Sequence, residues 1–380
     1  MDRLIRAAVV GIGKMGLSHV SILRAHPDVD LRAICDSSGY VLDVLHKYTG
    51  IGVYTDVEAM LGAEQLDAVV IATPTGSHYE LVMSALNRGL HVFCEKPLTL
   101  TSAQSLELAA VAERRGLVTQ VGYHNRFVAT FAEVKRLLDH GAVGRVTHVL
   151  AEAYGPVVLK ERGTTWRSRR SEGGSCVYDY AAHPLDLLTW YFGPARAVSG
   201  TVLGEVFSVD TEDEVHGTIL FDGSVSGQLS VNWSDESYRK MTTRVTVWGT
   251  GGRIFADRQE CQVYLRSEAG LPEGYQAGWN VRYTTDLTPP VWFYVRGEEY
   301  SAQLDYFVRA VVSGSTEGAG TTFSQAAETD QLIEMMLEDA ALGPRAAEQR
   351  PAPSEPRATR GRLGRIRSVR ARARSRARGA

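Results

Sequence analysis

The stretch LIRAAVVGIGKMG (residues 4–16) decides the fold. Its apolar half, Ile5 to Val10, is strand-length and runs straight into Gly11-Ile12-Gly13-Lys14-Met15-Gly16. Residues 17–25 then carry a helical pattern. Glycines spaced G-x-G-x-x-G between a strand and a helix each answer a steric demand. Gly11 allows the tight turn, Gly13 lets a phosphate approach the backbone, and Gly16 lets helix and strand pack closely. The helix start, with Lys14 and Met15, offers free N–H groups and partial positive charge to an anion. A second strand, residues 31–35, ends in Asp36, twenty residues beyond Gly16 and followed by Ser37. A carboxylate there grips the 2′-hydroxyl of an adenosine ribose and repels a 2′-phosphate, which favours NAD and leaves NADP as the second option. The alternative is that Asp36 caps the helix entered at Ser37-Ser38.

Reading outward, the alternation continues. Residues 40–49 are helical, 52–54 a short strand, 57–61 helical and 66–72 a buried strand. A turn-rich loop, TPTGSHY (73–79), leads to a helix over 79–88 closed by Gly89. A strand over 90–94, a helix over 102–115 and a strand over 117–121 complete the pattern. Strands alternating with helices of this size predict an α/β fold with a doubly wound parallel sheet over residues 1–122. Ligands of such sheets sit beyond the carboxyl ends of the strands. The stretch VFCEKPLTL (92–100) delivers Glu95, Lys96 and Pro97 to that edge. Pro97 has no N–H and biases Lys96 away from helix, with a cis bond as an option.

Composition sets the outer bounds. With 380 residues, 44% apolar and 22% charged, the chain has room for two cores and reads as a soluble protein. The longest apolar runs are strand-length, so no membrane span is expected, and the N-terminal run is too short for a signal peptide. Cys35, Cys94, Cys176 and Cys261 are widely spaced and form no zinc pattern, so reduced thiols in the cytoplasm and no metal are expected. The net charge of −3 divides unevenly: residues 345–380 hold twelve Arg and two Glu, or +10, leaving −13 on the rest. Residues 344–380 are read as a disordered Arg-rich tail. It serves either as electrostatic docking to nucleic acid, an anionic membrane or an acidic protein, or as an extension with no role in the function.

Further motifs carry a resemblance. ATPTGSHYELVMSALNRGLHVFCEKPL (72–98), VGYHNRF (121–127), GAVGRV (141–146) and GGSCVYDYAAHPLD (173–186) follow VVGIGKMGLSH (9–19) in register. With these stretches the chain resembles the glucose–fructose oxidoreductase / inositol dehydrogenase / MocA family, with Ser175 where a third glycine is often found. The resemblance implies an N-terminal Rossmann domain (1–122) and a C-terminal α+β domain (123–343) with a large, open, mainly antiparallel sheet. It also implies a homodimer or homotetramer joined through that sheet's outer face. Alternation over 213–233 and 243–257 around glycine turns agrees with two hairpins. Residues 299–312 and 323–341 have the spacing of amphipathic helices that close the core.

Oxidation of a secondary alcohol needs a hydride acceptor, a base for the hydroxyl proton and a donor for the developing alkoxide. By resemblance Lys96 is the donor, against the alternative of a simple ion pair. His183 lies four residues after Asp179, a spacing that puts both on one helical face, and imidazole suits a base. Asp179 then binds a second hydroxyl or orients His183, unless it only starts a helix. The family loop Thr73-Pro74-Thr75, with His78, lies under the nicotinamide ribose, where Glu95 is also expected, although His78 alternatively makes a local helix-start bond. Tyr123 is expected as a pocket wall, Asn125 near substrate, and Arg126 either near substrate or in a structural salt bridge. Asp186 is a hydroxyl contact or a structural acid. Trp166 would stack on a sugar, and Arg167, Arg169 and Arg170 would bind an anion such as a nucleotide-sugar diphosphate, or form a solvated basic loop. Trp279, Tyr283, Trp292, Phe293 and Tyr294 wall the same cleft or an oligomer contact. The expected activity is NAD-dependent oxidation of a sugar, sugar derivative or cyclitol. The alternatives are ketoreduction in nucleotide-sugar or aminosugar biosynthesis and a non-catalytic cofactor-binding regulator.

Overall fold

The computed structural model describes residues 4–160 and 165–343. The Arg-rich tail and part of the basic loop at 161–164 lie outside the described residues. The first part alternates as β1 (Ile5–Val10), α1 (Lys14–Ala25), β2 (Val29–Cys35), α2 (Gly39–Thr49), β3 (Gly52–Tyr54), α3 (Val57–Ala63), β4 (Ala68–Ile71), α4 (His78–Asn87), β5 (His91–Cys94), α5 (Ser102–Arg114) and β6 (Thr119–Val121). These strands form one six-stranded sheet in the order β3-β2-β1-β4-β5-β6, and every pairing in it is parallel. β1 and β4 are neighbours at the point where the order reverses, so the crevice at their carboxyl ends lies above Gly11 and Ala72.

Continuous apolar runs make the central strands. Ala68 to Ile71 and Val92 to Cys94 are all buried, as expected for strands covered by helices on both faces. Gly11 holds φ 87, and a side chain there would sit 2.7 Å from the Ala72 carbonyl. At Gly16 a Cβ would collide with the carbonyl of Gly11, which explains the glycine where α1 crosses β1.

After α6 (Ala129–Asp139), β7 (Val146–Tyr154) and α7 (Ala182–Phe192), the chain makes β8 (Ala197–Gly204), β9 (Glu214–Leu220), β10 (Ser226–Asn232), β11 (Thr242–Gly249), β12 (Gly252–Asp257), β13 (Glu260–Leu265) and β14 (Gly278–Tyr283). The eight-stranded sheet runs β14-β13-β12-β11-β7-β10-β9-β8 and is antiparallel except between β7 and β10. Both expected hairpins, β9–β10 and β11–β12, are present. One face of the sheet is buried and the other partly exposed, as the alternation of β12 displays.

The chain ends in α8 (Thr284–Leu287), α9 (Glu298–Ser313) and α10 (Phe323–Ala341). α9 returns to the first sheet: Leu304, Phe307 and Val308 share a cluster with Val9, Ile34 and Phe93. α10 packs Phe323, Leu332, Ile333 and Met336 into the cluster that spans both sheets. The boundary proposed at 122/123 thus separates the two sheets, while the last helices touch both cores. No helix among the described residues is long and apolar enough to cross a membrane.

Between α10 and α5 lies a buried carboxyl, Asp330, which accepts from Ser105 Oγ at 2.6 Å and the Thr99 amide at 3.4 Å. Burial pushes it up to about 7 against those hydrogen bonds. An acid whose folded value is raised favours the folded state at low pH. Its contribution is lost as pH rises from about 4, the unfolded value, through about 7. Asp330→Asn keeps the acceptor for Ser105 without the charge. Thermal melts across that range should show the variant gaining on the parent as pH rises, and parallel melting curves would reject this account.

Candidate active site

The sheet edges open into one cavity of about 1090 Å³, somewhat above the usual span for a single small ligand. Gly11, Gly13, Lys14, Met15, Asp36, Ser37, Thr73, Pro74 and Thr75 line one end of it. The residues fit a dinucleotide. A Cβ on Gly13 would point into open space, leaving room for a pyrophosphate at the start of α1. Asp36 accepts from the Ile12 amide at 2.6 Å and the Ser38 amide at 2.8 Å, so its carboxylate also ties the glycine turn to β2. The cap of α2 is Ser38, without a side-chain bond, so Asp36 does not act as that cap. Ile12 contributes its backbone and buries its side chain, and Gly16 acts by packing.

At the other end stand Lys96, His124, Asn125, Trp166, Arg167, Tyr178, Asp179 and His183. Lys96 follows β5, and its bond to Pro97 is cis. Its ammonium donates to Asp179 Oδ1 at 2.6 Å and to the Asp179 carbonyl at 2.8 Å. Arg167 Nε reaches the other carboxylate oxygen at 3.3 Å and stacks on Trp166 at 4.4 Å. Burial opposes ionisation of Asp179, but Lys96 and Arg167 outweigh it and hold the carboxyl below its ordinary value. The partner of Lys96 is therefore an acid 83 residues away, not its neighbour Glu95. Glu95 instead bonds His19 Nε2 at 2.7 Å on α1, at the floor of the cavity.

Asp179 sits in a wide π-helical turn, Val177–Ala181, and His183 in the first turn of α7. Such turns carry an extra residue and re-aim side chains, which is why simple i, i+4 geometry does not describe this pair. No hydrogen bond joins Asp179 to His183. The turn begins at Ser175, which holds φ 150, a conformation glycine adopts with ease, and its Oγ accepts from the Val177 amide at 3.0 Å. His183 keeps Nδ1 buried without a partner, leaving Nε2 as the ring nitrogen open to the cleft. Burial first, then the charges of Lys96 and Arg258 and the neighbouring His124, push its imidazole well below the ordinary value, so it is neutral at pH 7.

Several expected contacts do not reach the cavity. Arg126 is buried and forks onto Asp186, with contacts of 2.7 to 3.1 Å, while its Nη1 meets Gln325 at 3.1 Å and its plane lies 5.3 Å from Trp190. It is the structural salt bridge, and Asp186 the structural acid. Tyr123 is buried behind His183, edge-on at 6.4 Å, and is not a pocket wall. His78 is buried and pinned between the carbonyls of Thr73, Pro97 and Leu98, so it fastens the loop rather than touching a ligand. The aromatic residues 279–294 lie off the cleft: Trp279 packs on Tyr264 at 5.4 Å and Trp292 on His26 at 4.8 Å.

Sequence reasoning missed His19, His124, Arg258, Arg296 and Tyr300. The available signal for His19 was a histidine on the buried face of α1, and for His124 its place inside GYHNR. The last three belong to no motif. Among the described residues no cluster of His, Cys, Asp and Glu has the geometry to hold a metal.

Two family models match the chain: the oxidoreductase family, NAD-binding Rossmann fold (GFO_IDH_MocA), over residues 5–123, and the GFO/IDH/MocA C-terminal domain over residues 131–255. A protein of Amycolatopsis mediterranei (strain S699), provisionally assigned as a UDP-kanosamine synthase oxidoreductase subunit, is 30% identical over 268 residues, 65% of this chain and 74% of the relative. The scyllo-inositol 2-dehydrogenase (NAD(+)) of Bacillus subtilis (strain 168) is 26% identical over 325 residues, 83% of this chain and 89% of the relative. GenD2 from gentamicin A biosynthesis, solved in complex with NAD, has a TM-score of 0.74 at 27% identity and covers 90% of this chain and 96% of its own.

Two outcomes test these placements. Arg126→Met strands the Asp186 charge in the interior and should cost about 3–5 kcal/mol of stability, seen as a lowered melting temperature, with NAD affinity of the folded protein kept. Unchanged melting would return Arg126 to the substrate. Asp36→Ala should narrow the preference for NAD over NADP in equilibrium binding, and an unaltered ratio would remove Asp36 from the ribose.

Proposed function

The chain belongs to the GFO/IDH/MocA oxidoreductase family, and on that premise we propose that it oxidises a secondary alcohol of a sugar, sugar derivative or cyclitol to a ketone. It is an NAD-binding oxidoreductase acting on CH–OH donors. The observation that carries the finer reading is the cleft itself. A neutral imidazole, His183, and an ammonium, Lys96, converge beyond the carboxyl end of β5, in the same cavity as the glycine turn.

Bound NAD supplies the hydride acceptor. Lys96 has three N–H donors, and two are committed to Asp179. The third is free for the substrate oxygen, whose developing negative charge it stabilises. Asp179 holds that ammonium in place and, through Arg167, fixes the mouth of the site. His183 accepts the hydroxyl proton at Nε2. Its lowered value keeps it ready to accept at neutral pH. His19 and Glu95 hold the floor on which a nicotinamide would rest. A non-catalytic regulator would have no use for a neutral base beside a poised ammonium. Association through the open face of the second sheet, as a dimer or tetramer, remains part of the same proposal.

NADH formation across a panel of sugars, cyclitols and nucleotide sugars tests this reading. Lys96→Ala and His183→Ala should each lower turnover by about 100-fold or more while NAD binding by fluorescence persists. Tight NAD binding with no turnover on any substrate would favour the regulator. The acid limb of the kcat/KM profile should fall below pH of about 6.5, the ordinary histidine value. A limb at or above it would assign the proton to another group.

A further inference from the structure

The substrate end of the cavity is unequally charged. Lys96, Arg167, Arg258 and Arg296 line it, against the carboxylates of Glu95 and Asp179. The accounting by partner is more telling than the imbalance. Lys96 and Arg167 share Asp179, and Arg258 is held by Glu299. Arg169 and Arg170, the loop arginines expected to bind an anion, are consumed by Glu172 and Glu212 and lie outside the cavity. Among the described residues, Arg296 and Lys240 face the cavity with no hydrogen bond or carboxylate for their charged ends.

Arg296 is also held in an unusual way. Its φ is 67, left-handed backbone that a non-glycine residue adopts rarely, just ahead of Gly297 and α9. Such a conformation persists where the surroundings over-determine it, and it clusters at binding sites. The guanidinium lies 5.4 Å from the Tyr300 ring. Tyr300 stacks on His124 at 4.8 Å with 22° between the planes, and His124 meets His183 at 4.7 Å. A ladder of rings therefore connects the free cation to the reacting centre. Lys14 and the start of α1 face the cofactor's phosphates, whereas Arg296 stands on the ring ladder that ends at His183.

We propose that the substrate is an acidic sugar or cyclitol derivative, bearing a carboxylate or phosphate that Arg296 binds. The proposal rests on the dehydrogenase reading and narrows it. An anion brought there gives Arg296 the partner that the protein leaves open and offsets the positive potential around the two imidazoles. Neutral sugars lack that interaction, so selection is by charge.

The test is binding to the NAD-saturated protein by calorimetry, which needs no turnover. The probes are glucose, glucuronate, glucose 6-phosphate and UDP-glucose, with myo-inositol and its monophosphate, at about 0.05 M and about 0.5 M salt. At least one acid should bind about 10- to 100-fold tighter than its neutral parent, and the ratio should shrink at high salt. The carboxylate, monophosphate and diphosphate arms identify the group. Arg296→Gln should collapse the acid-to-neutral ratio toward one, Arg296→Lys should restore part of it, and Arg169→Gln, outside the cavity, should leave it alone. Equal affinity of acids and parents, binding of neither, or loss of NAD affinity in Arg296→Gln without an effect on the ratio would each overturn the proposal. Turnover measured on the same proteins reports separately on the dehydrogenase reading: acid binding without NADH formation would reject that reading alone.

Discussion

The ion pair between Lys96 and Asp179 is the constraint on which the site depends. Each side chain is mostly out of water, at 13% and 16% exposure, so neither charge could stand alone without a large desolvation penalty. One comes from the end of β5 in the parallel sheet, the other from the π-helical turn that precedes α7. Satisfying them therefore locks the mouth of the first sheet to the helix that covers the second. From that wide turn Asp179 presents both its carboxylate and its carbonyl to the same ammonium.

Around that pair the protein distributes polar groups by purpose. Where the fold needs rigidity the groups are paired: Arg126 with Asp186, His78 with three carbonyls, Glu95 with His19. Where a ligand is to be met, capacity is left over: His183 turns Nε2 to the cleft, Lys96 has one spare donor, Arg296 no carboxylate. Burial and unsatisfied capacity together separate structural from functional members of one charged cluster. The same accounting moves anion recognition from the basic loop, whose arginines are spent, to the segment entering α9.

Much of the fold was legible in the chain. The strand, glycine turn and helix at residues 5–25, the alternation through 121 and the two hairpins all appear within three residues of expectation. Lys96, Asp179 and His183 were legible through motif resemblance and do share the cavity. Arg126 was ambiguous for a physical reason. An arginine beside a cleft motif looks alike whether its acid is a ligand or Asp186, and only burial decides. Tyr123 and His78 sit one layer too deep, a distance that sequence spacing does not encode. α9 closes the first core from nearly two hundred residues away, because its apolar stripe fits the face left open beside α1.

What the sequence determined alone is therefore local: where glycine must take a turn, which runs are buried strands, and which edge of the sheet receives Glu95, Lys96 and Pro97. These follow from steric and hydrophobic rules acting over a few residues. The tertiary structure alone decided which charge meets which. Residues 96, 124, 179, 183, 258, 296 and 300 converge only after both sheets and α9 are in place. Electrostatic partnership depends on distance in space and on exclusion of water, and neither quantity is written in the spacing of residues along the chain.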